Sequence, residues 1–264
     1  MSSLLTNASA MTALQTLTQT NKNLNATQNR IATGQRISEA SHNAAYWSIS
    51  VGMNAQNKAL SAVQDSLGFG KAILDTAYTA LHEAVDKAEQ MVAKYVSLAQ
   101  DGIDAAAVNA EITQLQAQIV SIAVGAEFEG HNLLTTPAAV GDNNLAVVNG
   151  YNRTTGVTTL SVTEYDLQGA AGGISSLATA QTAFDAMKAA AARFGAMKMR
   201  IESQATFVSQ QIDAIDRGVG QLVDADMEAE SARLSALQVQ QQLGIQSLSI
   251  ANSNTQNLLA LFRN

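Results

Sequence analysis

The stretch from Asp224 to Asn264, DADMEAESARLSALQVQQQLGIQSLSIANSNTQNLLALFRN, decides the reading of this chain. It opens on the acids Asp224, Asp226, Glu228 and Glu230, and after Arg233 no charged side chain occurs until Arg263. Leu234, Leu237, Gln241, Gly244, Leu248, Ala251, Thr255, Leu258 and Phe262 recur at alternating spacings of three and four. That is the heptad rhythm of a helix that packs along its length. Leu243, Ile245, Ile250, Leu259 and Leu261 fall off the stripe, so the helix is apolar on several faces and wants partners on several sides. A buried C-terminal helix of a monomer is the bland reading. The sharper one is a helix buried only when many copies assemble.

The other end of the chain repeats the property. Ala10, Leu14, Leu17, Asn21, Leu24, Gln28 and Ile31 step by four and three and stop near Gly34, a residue suited to ending a helix. Asn21 and Gln28 weaken this stripe but can fix its register. Two nearly uncharged amphipathic helices, far apart in sequence, are expected to pair in space. Residues 1–21 carry no charge, hence no basic n-region, and polar residues interrupt them every few positions; no cleaved secretory signal is expected. Neither end has the apolar run of a membrane span.

Composition narrows the function classes. The 264 residues carry a formal charge of −7, no cysteine and one proline, Pro137. Disulfides and thiolate metal sites are excluded. Without a basic cluster, nucleic acid is not expected as a partner. A single proline permits long unbroken helices.

Between the ends the pattern is regular. Residues 35–46 lose the period and read as a connector, with Ser38 or Ser41 as the expected cap of the next helix and Tyr46 and Trp47 as packing anchors where connector meets rod, an intersubunit contact being the alternative. From Leu60 through Val63, Leu67, Gly70, Leu74, Ala77, Leu81, Ala84, Ala88, Met91, Tyr95 and Leu98 the three-four spacing never slips, predicting one helix of roughly 60 Å. Val108, Ile112, Leu115, Ile119 and Ile122 predict a shorter antiparallel neighbour ended by Gly125. Residues 128–176 are richer in glycine, threonine and asparagine. Leu145–Tyr151 and Val157–Tyr165 read as strands of a hairpin lying against the helices, and Gly169–Gly173 as a flexible return. From Phe184 to Leu222 the helical stripe resumes, and Gly218 and Gly220 read as a hinge before the terminal helix. The expected domains are paired terminal helices (1–34 and 224–264), a connector (35–46) and a helical rod (47–223) bearing the hairpin.

These residues resemble a bacterial flagellin of the short kind, over essentially the whole chain. The runs Asp224–Leu234, Gln241–Asn252 and Asn257–Asn264 carry the resemblance at one end. Arg30–Ile37, Asn43–Ala45 and Glu127–Leu134 carry it on the other side, with only the hairpin region where longer flagellins have large outer domains. The family implies a secreted subunit of the extracellular flagellar filament. It would be exported unfolded by the flagellar type III apparatus with an export chaperone, and polymerised under a filament cap. The expected fold is mainly α, a long antiparallel coiled-coil rod with a small β-hairpin and paired terminal helices. A hook–filament junction protein is the alternative. The side chains expected at the assembly interface are Leu14, Leu17, Leu24, Ile31, Leu234, Leu237, Leu243, Ile245, Leu248, Ile250, Leu258, Leu261 and Phe262, with Gly34, Gly218 and Gly220 as hinges.

No chemistry competes with that reading. Of the four acids, only Asp224 with Glu228, or Asp226 with Glu230, can share a helix face. They suit a helix N-terminus better than a hard cation, which wants six or more oxygens. His42, His82 and His131 follow no metal-ligand spacing. No catalytic constellation, cofactor loop or basic membrane-binding face stands out, so neither an enzyme nor membrane insertion is expected.

Overall fold

The structure, a computed structural model, describes residues 7–135 and 145–261, with side chains described as far as residue 253. The chain forms two compact units, Met1–Asn54 with Ile215–Asn264, and Ala55–Ala214. Its elements in order are α1 (Ala8–Thr33), α2 (Ala44–Ser97), α3 (Ala105–Gly125), β1 (Glu127–Phe128), β2 (His131–Asn132), β3 (Leu145–Asn152), β4 (Gly156–Val162), α4 (Leu167–Gly172), α5 (Leu177–Val223) and α6 (Met227–Leu261). The fold is mainly α with a small antiparallel β component.

The unit Ala55–Ala214 owns a continuous core. The α2 stripe is buried along its length, from Leu60, Val63 and Leu67 through Leu74, Ala77 and Leu81 to Ala88 and Met91. In the same unit Ile112, Ile119 and Ala123 of α3 and Met187, Ala190, Phe194, Ile201 and Val208 of α5 are buried as well. Removing each Leu or Ile from water contributes about 1.5–3 kcal/mol, which is how an apolar stripe becomes a bundle. Two ion pairs fix α2 antiparallel to α5: Lys71 to Glu202 at 2.7 Å and Asp75 to Lys198 at 2.8 Å. The hydrogen bond to Asp75 raises the Lys198 pKa above the usual lysine value, although exposed pairs add little stability.

The hairpin belongs to this core. Leu145, Val147, Leu160 and Val162 alternate inward while Ala146 and Ser161 face out, the period-two rule of a half-buried sheet. Gly70 of α2 lies under Val147 so closely that a β-carbon there would collide with it. The Val148 amide donates to Ser66 Oγ at 3.2 Å, and Gln204 Nε2 donates to the Asn149 carbonyl at 2.7 Å. At the tip, Asn152 Oδ1 accepts from the Thr154 amide at 2.8 Å, and Gly156 takes a φ of 81° that other residues resist. The run after Phe128 makes a second tiny hairpin, pairing Phe128 with His131 across Glu129 and Gly130, both at positive φ.

Three local readings of the sequence are corrected. Residues 169–173 are not a flexible return: α4 forms there because Asp166 caps it, accepting from the Gly169 amide at 2.7 Å, while Leu167 and Ala171 are buried. The helix expected from Leu60 begins at Ala44, and its cap is Asn43 rather than Ser38 or Ser41. Asn43 Oδ1 accepts from the Ala45 and Tyr46 amides at 3.1 and 3.2 Å. The helix expected from Phe184 begins at Leu177, where Ser176 and Thr179 bond each other's amides reciprocally.

Candidate assembly interface

The terminal helices pair antiparallel within the unit that holds both chain ends. At the base, the connector and the chain before α6 form a backbone link: the Arg36 amide donates to the Val223 carbonyl at 2.7 Å and the Ala225 amide to the Gly34 carbonyl at 2.9 Å. Gly34 ends α1 in the left-handed region at φ 69°, a conformation glycine adopts without strain. Higher up, Arg30 pairs with Glu230 at 2.9 Å. Above that, Gln241 Nε2 donates to Asn21 Oδ1 at 2.8 Å, and Gly244 lets Leu17 approach. Asn7 closes the far end with a 3.0 Å bond to the Ala251 carbonyl.

Asp226 caps α6, accepting from the Glu228 and Ala229 amides at 3.0 and 3.1 Å. The acids therefore act on a helix N-terminus, where negative charge is favourable. Glu230 is buried against Arg30 and Arg233. His82 faces Tyr78 and Asp86, and His131 meets the ring of Phe69 edge-on.

The expected interface residues whose side chains are described divide into two groups, seam and exposed. Leu24 and Leu237 are buried in the seam, and Leu17, Ile31, Leu234 and Leu248 are half-buried along it. Leu14 is exposed, whereas Thr20 and Thr27 of α1 are buried. Leu243, Ile245 and Ile250 are 57%, 55% and 62% exposed. The side chains of Leu258, Leu261 and Phe262 lie outside the described residues. Beside Leu243 a groove of about 710 Å³ runs between α1 and α6, lined by Ser9, Thr12, Thr16, Gln240 and Ser247 without one charged group.

Tyr46 and Trp47 are not packing anchors. Together with Ile49 and Val51 they stand exposed on the first turns of α2. Helical spacing gave no sign of these turns because their apolar residues face outward. At the hinge candidates α5 runs unbroken through Gly218 and Gly220 to Val223. Gly218 sits against Met53, whose Cε would lie 2.7 Å from an added β-carbon, so there a close approach of two helices uses the missing side chain.

This arrangement has known counterparts. The family model for the bacterial flagellin N-terminal helical region matches residues 4–138, and that for the C-terminal helical region matches residues 177–262. A flagellin of Brucella melitensis biotype 1 is 46% identical over 285 aligned residues spanning 100% of both chains. Flagellin C of Rhizobium meliloti is 38% identical over 320 aligned residues, again spanning 100% of both. The crystal structure of Bacillus cereus flagellin aligns with a TM-score of 0.38 at 20% identity, covering 66% of this chain and 94% of that one. The two helical regions that build the terminal pair and the bundle are those the family models match, and on that ground the chain belongs to the bacterial flagellin family.

Proposed function

We propose that copies of this chain polymerise into the flagellar filament that drives swimming, through the outer faces of the α1–α6 pair. The observation that carries the proposal is the exposure of Leu243, Ile245 and Ile250 on a helix with no charge between Arg233 and Leu261. A single chain leaves these side chains in water, and a neighbouring copy would remove them from it. Leu14 and the exposed patch of Tyr46, Trp47, Ile49 and Val51 offer further contacts of the same kind. Leu258, Leu261 and Phe262 extend the stripe by sequence. Contacts between unlike faces do not close on themselves, so they build a helix of subunits.

Membership in the family supports the finer parts of the reading. Export through the flagellar type III apparatus with a chaperone, addition beneath a cap and residence outside the cell all belong to this proposal. The matched families and relatives are flagellins, which leaves the hook–filament junction reading without support.

The test is sedimentation and electron microscopy of the purified chain after salt-seeded polymerisation. The native sequence should give long filaments. A variant carrying Leu243→Asp and Ile250→Asp should stay in the supernatant, because an unpaired carboxylate buried between copies costs several kcal/mol. Its monomer should melt like the native chain. Filaments from the double variant would remove these faces from the interface.

A further inference from the structure

We infer that the Asn21–Gln241 hydrogen bond sets the register of the distal half of the α1–α6 pair. The seam is repetitive: Leu234, Leu237, Gly244, Leu248 and Ala251 line it at three-four spacing from the α6 side. Apolar side chains at regular spacing attract equally well after a shift of one or two turns, so they do not choose a register. The contacts near the connector, the Gln35–Asp224 bridge and the Arg30–Glu230 pair, hold only the base. Above them Asn21 and Gln241 meet at 2.8 Å, both half-buried, whereas Asn7 at the far end bonds a backbone carbonyl, that of Ala251, a group that every turn repeats.

A slip would separate this pair. One turn in either direction puts Asn21 opposite Leu237 or Gly244, and two turns put it opposite Leu234 or Leu248. None of these side chains returns a hydrogen bond, and a buried amide without a partner is unfavourable. Gly244 acts with the pair in selecting one alignment, because a β-carbon there would lie 3.2 Å from Leu17 Cδ1. Asn21 and Gln241 are thus positioning residues: they choose among alignments and add little to the strength of the seam. The pair forms within one chain, so the inference stands apart from polymerisation.

The sequence contains no cysteine, so introduced thiols report without background. A β-carbon on Gly244 would lie 3.8 Å from Leu17 Cβ, the usual separation across a disulfide, about 3.8 Å. The pair Leu17→Cys with Gly244→Cys therefore reads the native register. Leu17→Cys with Ala251→Cys, or with Leu237→Cys, reads a slip of two turns. Oxidative crosslinking is measured in both soluble and pelleted protein, with each reporter in the native background and with Asn21→Leu and Gln241→Leu together. The native background should crosslink at the native pair at least tenfold more than at either slipped pair. The double leucine background should bring the three yields to within about threefold of one another. Exchanging the two amides, Asn21→Gln with Gln241→Asn, should restore the native preference. An unchanged preference in the double leucine background overturns the inference, as does failure of the native reporter to crosslink in the native background. Pelleting, scored separately, reports on assembly.

Discussion

The bundle of α2, α3 and α5 and the terminal pair of α1 and α6 are written in the same three-four rhythm, yet they bury very different amounts of it. In the bundle, Leu67, Leu74, Leu81, Ile119 and Phe194 are at most 1% exposed. In the terminal pair the buried side chains among those described are Thr20, Leu24, Thr27, Glu230 and Leu237, so two of the five are apolar. The difference lies in the number of neighbours. A helix with partners on two sides hides a wide stripe, whereas a helix with one partner hides a narrow seam and leaves Leu243 and Ile250 in water. Heptad periodicity announces that a helix will pack, without saying whether the partner is in the same chain.

The largest effect should come from truncating one leucine on each side of this comparison. Leu74→Ala empties a fully enclosed site in the bundle and should cost about 2–5 kcal/mol, read as a clear fall in the melting temperature of the monomer. Leu237→Ala removes the same atoms from a seam open to solvent on both flanks. It should cost less than half as much by the same measurement while weakening filaments in a pelleting assay. Equal losses in the monomer would show that the terminal pair is as much a single-chain core as the bundle.

How far the sequence disclosed this follows from the same contrast. The α2 stripe from Leu60 to Met91 was legible residue by residue because each member is buried by its own chain. The first turns of α2 are not legible: Tyr46, Trp47, Ile49 and Val51 face outward, so no period marks the helix before Leu60, and the cap expected at Ser38 or Ser41 falls short of Asn43. The strands were legible from their β-branched runs, and the alternation of Leu145 with Val147 and of Leu160 with Val162 follows from them. The brief α4 was hidden because Gly169, Gly172 and Gly173 read as loop, while the capping Asp166 gave the only contrary signal. In α1 the expected stripe was rotated slightly. The spacing predicts Leu14 in the seam, but Thr20 and Thr27 are the buried residues there; Thr20 donates its hydroxyl to the Thr16 carbonyl at 2.9 Å, so a polar residue fits with its hydrogen bond made. At Gly218 the residue type is visible in the sequence, whereas the approach of Met53 is a tertiary fact without a local signature.

A smaller effect should appear when one helix cap is removed from each region. Asp104 accepts from the Ala106 and Ala107 amides at 3.0 and 3.3 Å at the start of α3, much as Asp226 does for α6. Replacing either by alanine should cost roughly 1 kcal/mol of local helix stability. The readouts should differ. Asp104→Ala should lower the monomer melting temperature by a few degrees, because α3 melts with the bundle. Asp226→Ala should leave that temperature in place and instead speed hydrogen exchange at the first turns of α6. A global shift from Asp226→Ala would mean the two regions unfold as one cooperative body.

The smallest effect concerns polar groups that each region encloses. The terminal pair matches its amides, Asn21 to Gln241, whereas the bundle unit buries the Tyr165 hydroxyl without a protein partner. Burial raises the Tyr165 pKa above the ordinary tyrosine value, the neighbouring Asp166 carboxylate raises it further, and Arg193 opposes both. The sign follows from the neutral form being favoured in the folded chain. Its contribution is fully present below the pKa of the unfolded chain and is lost as pH rises through the folded value. At neutral pH Tyr165→Phe removes only a hydroxyl that has no bond to lose, so stability should change by less than about 1 kcal/mol, in either direction. In alkaline solution the variant should lose less stability than the native chain, since it has no phenol to ionise inside the unit. Denaturant titrations at neutral and strongly alkaline pH measure both terms. Parallel losses for the two proteins would mean that Tyr165 ionises as easily folded as unfolded, and that its enclosure does not disfavour the charged form.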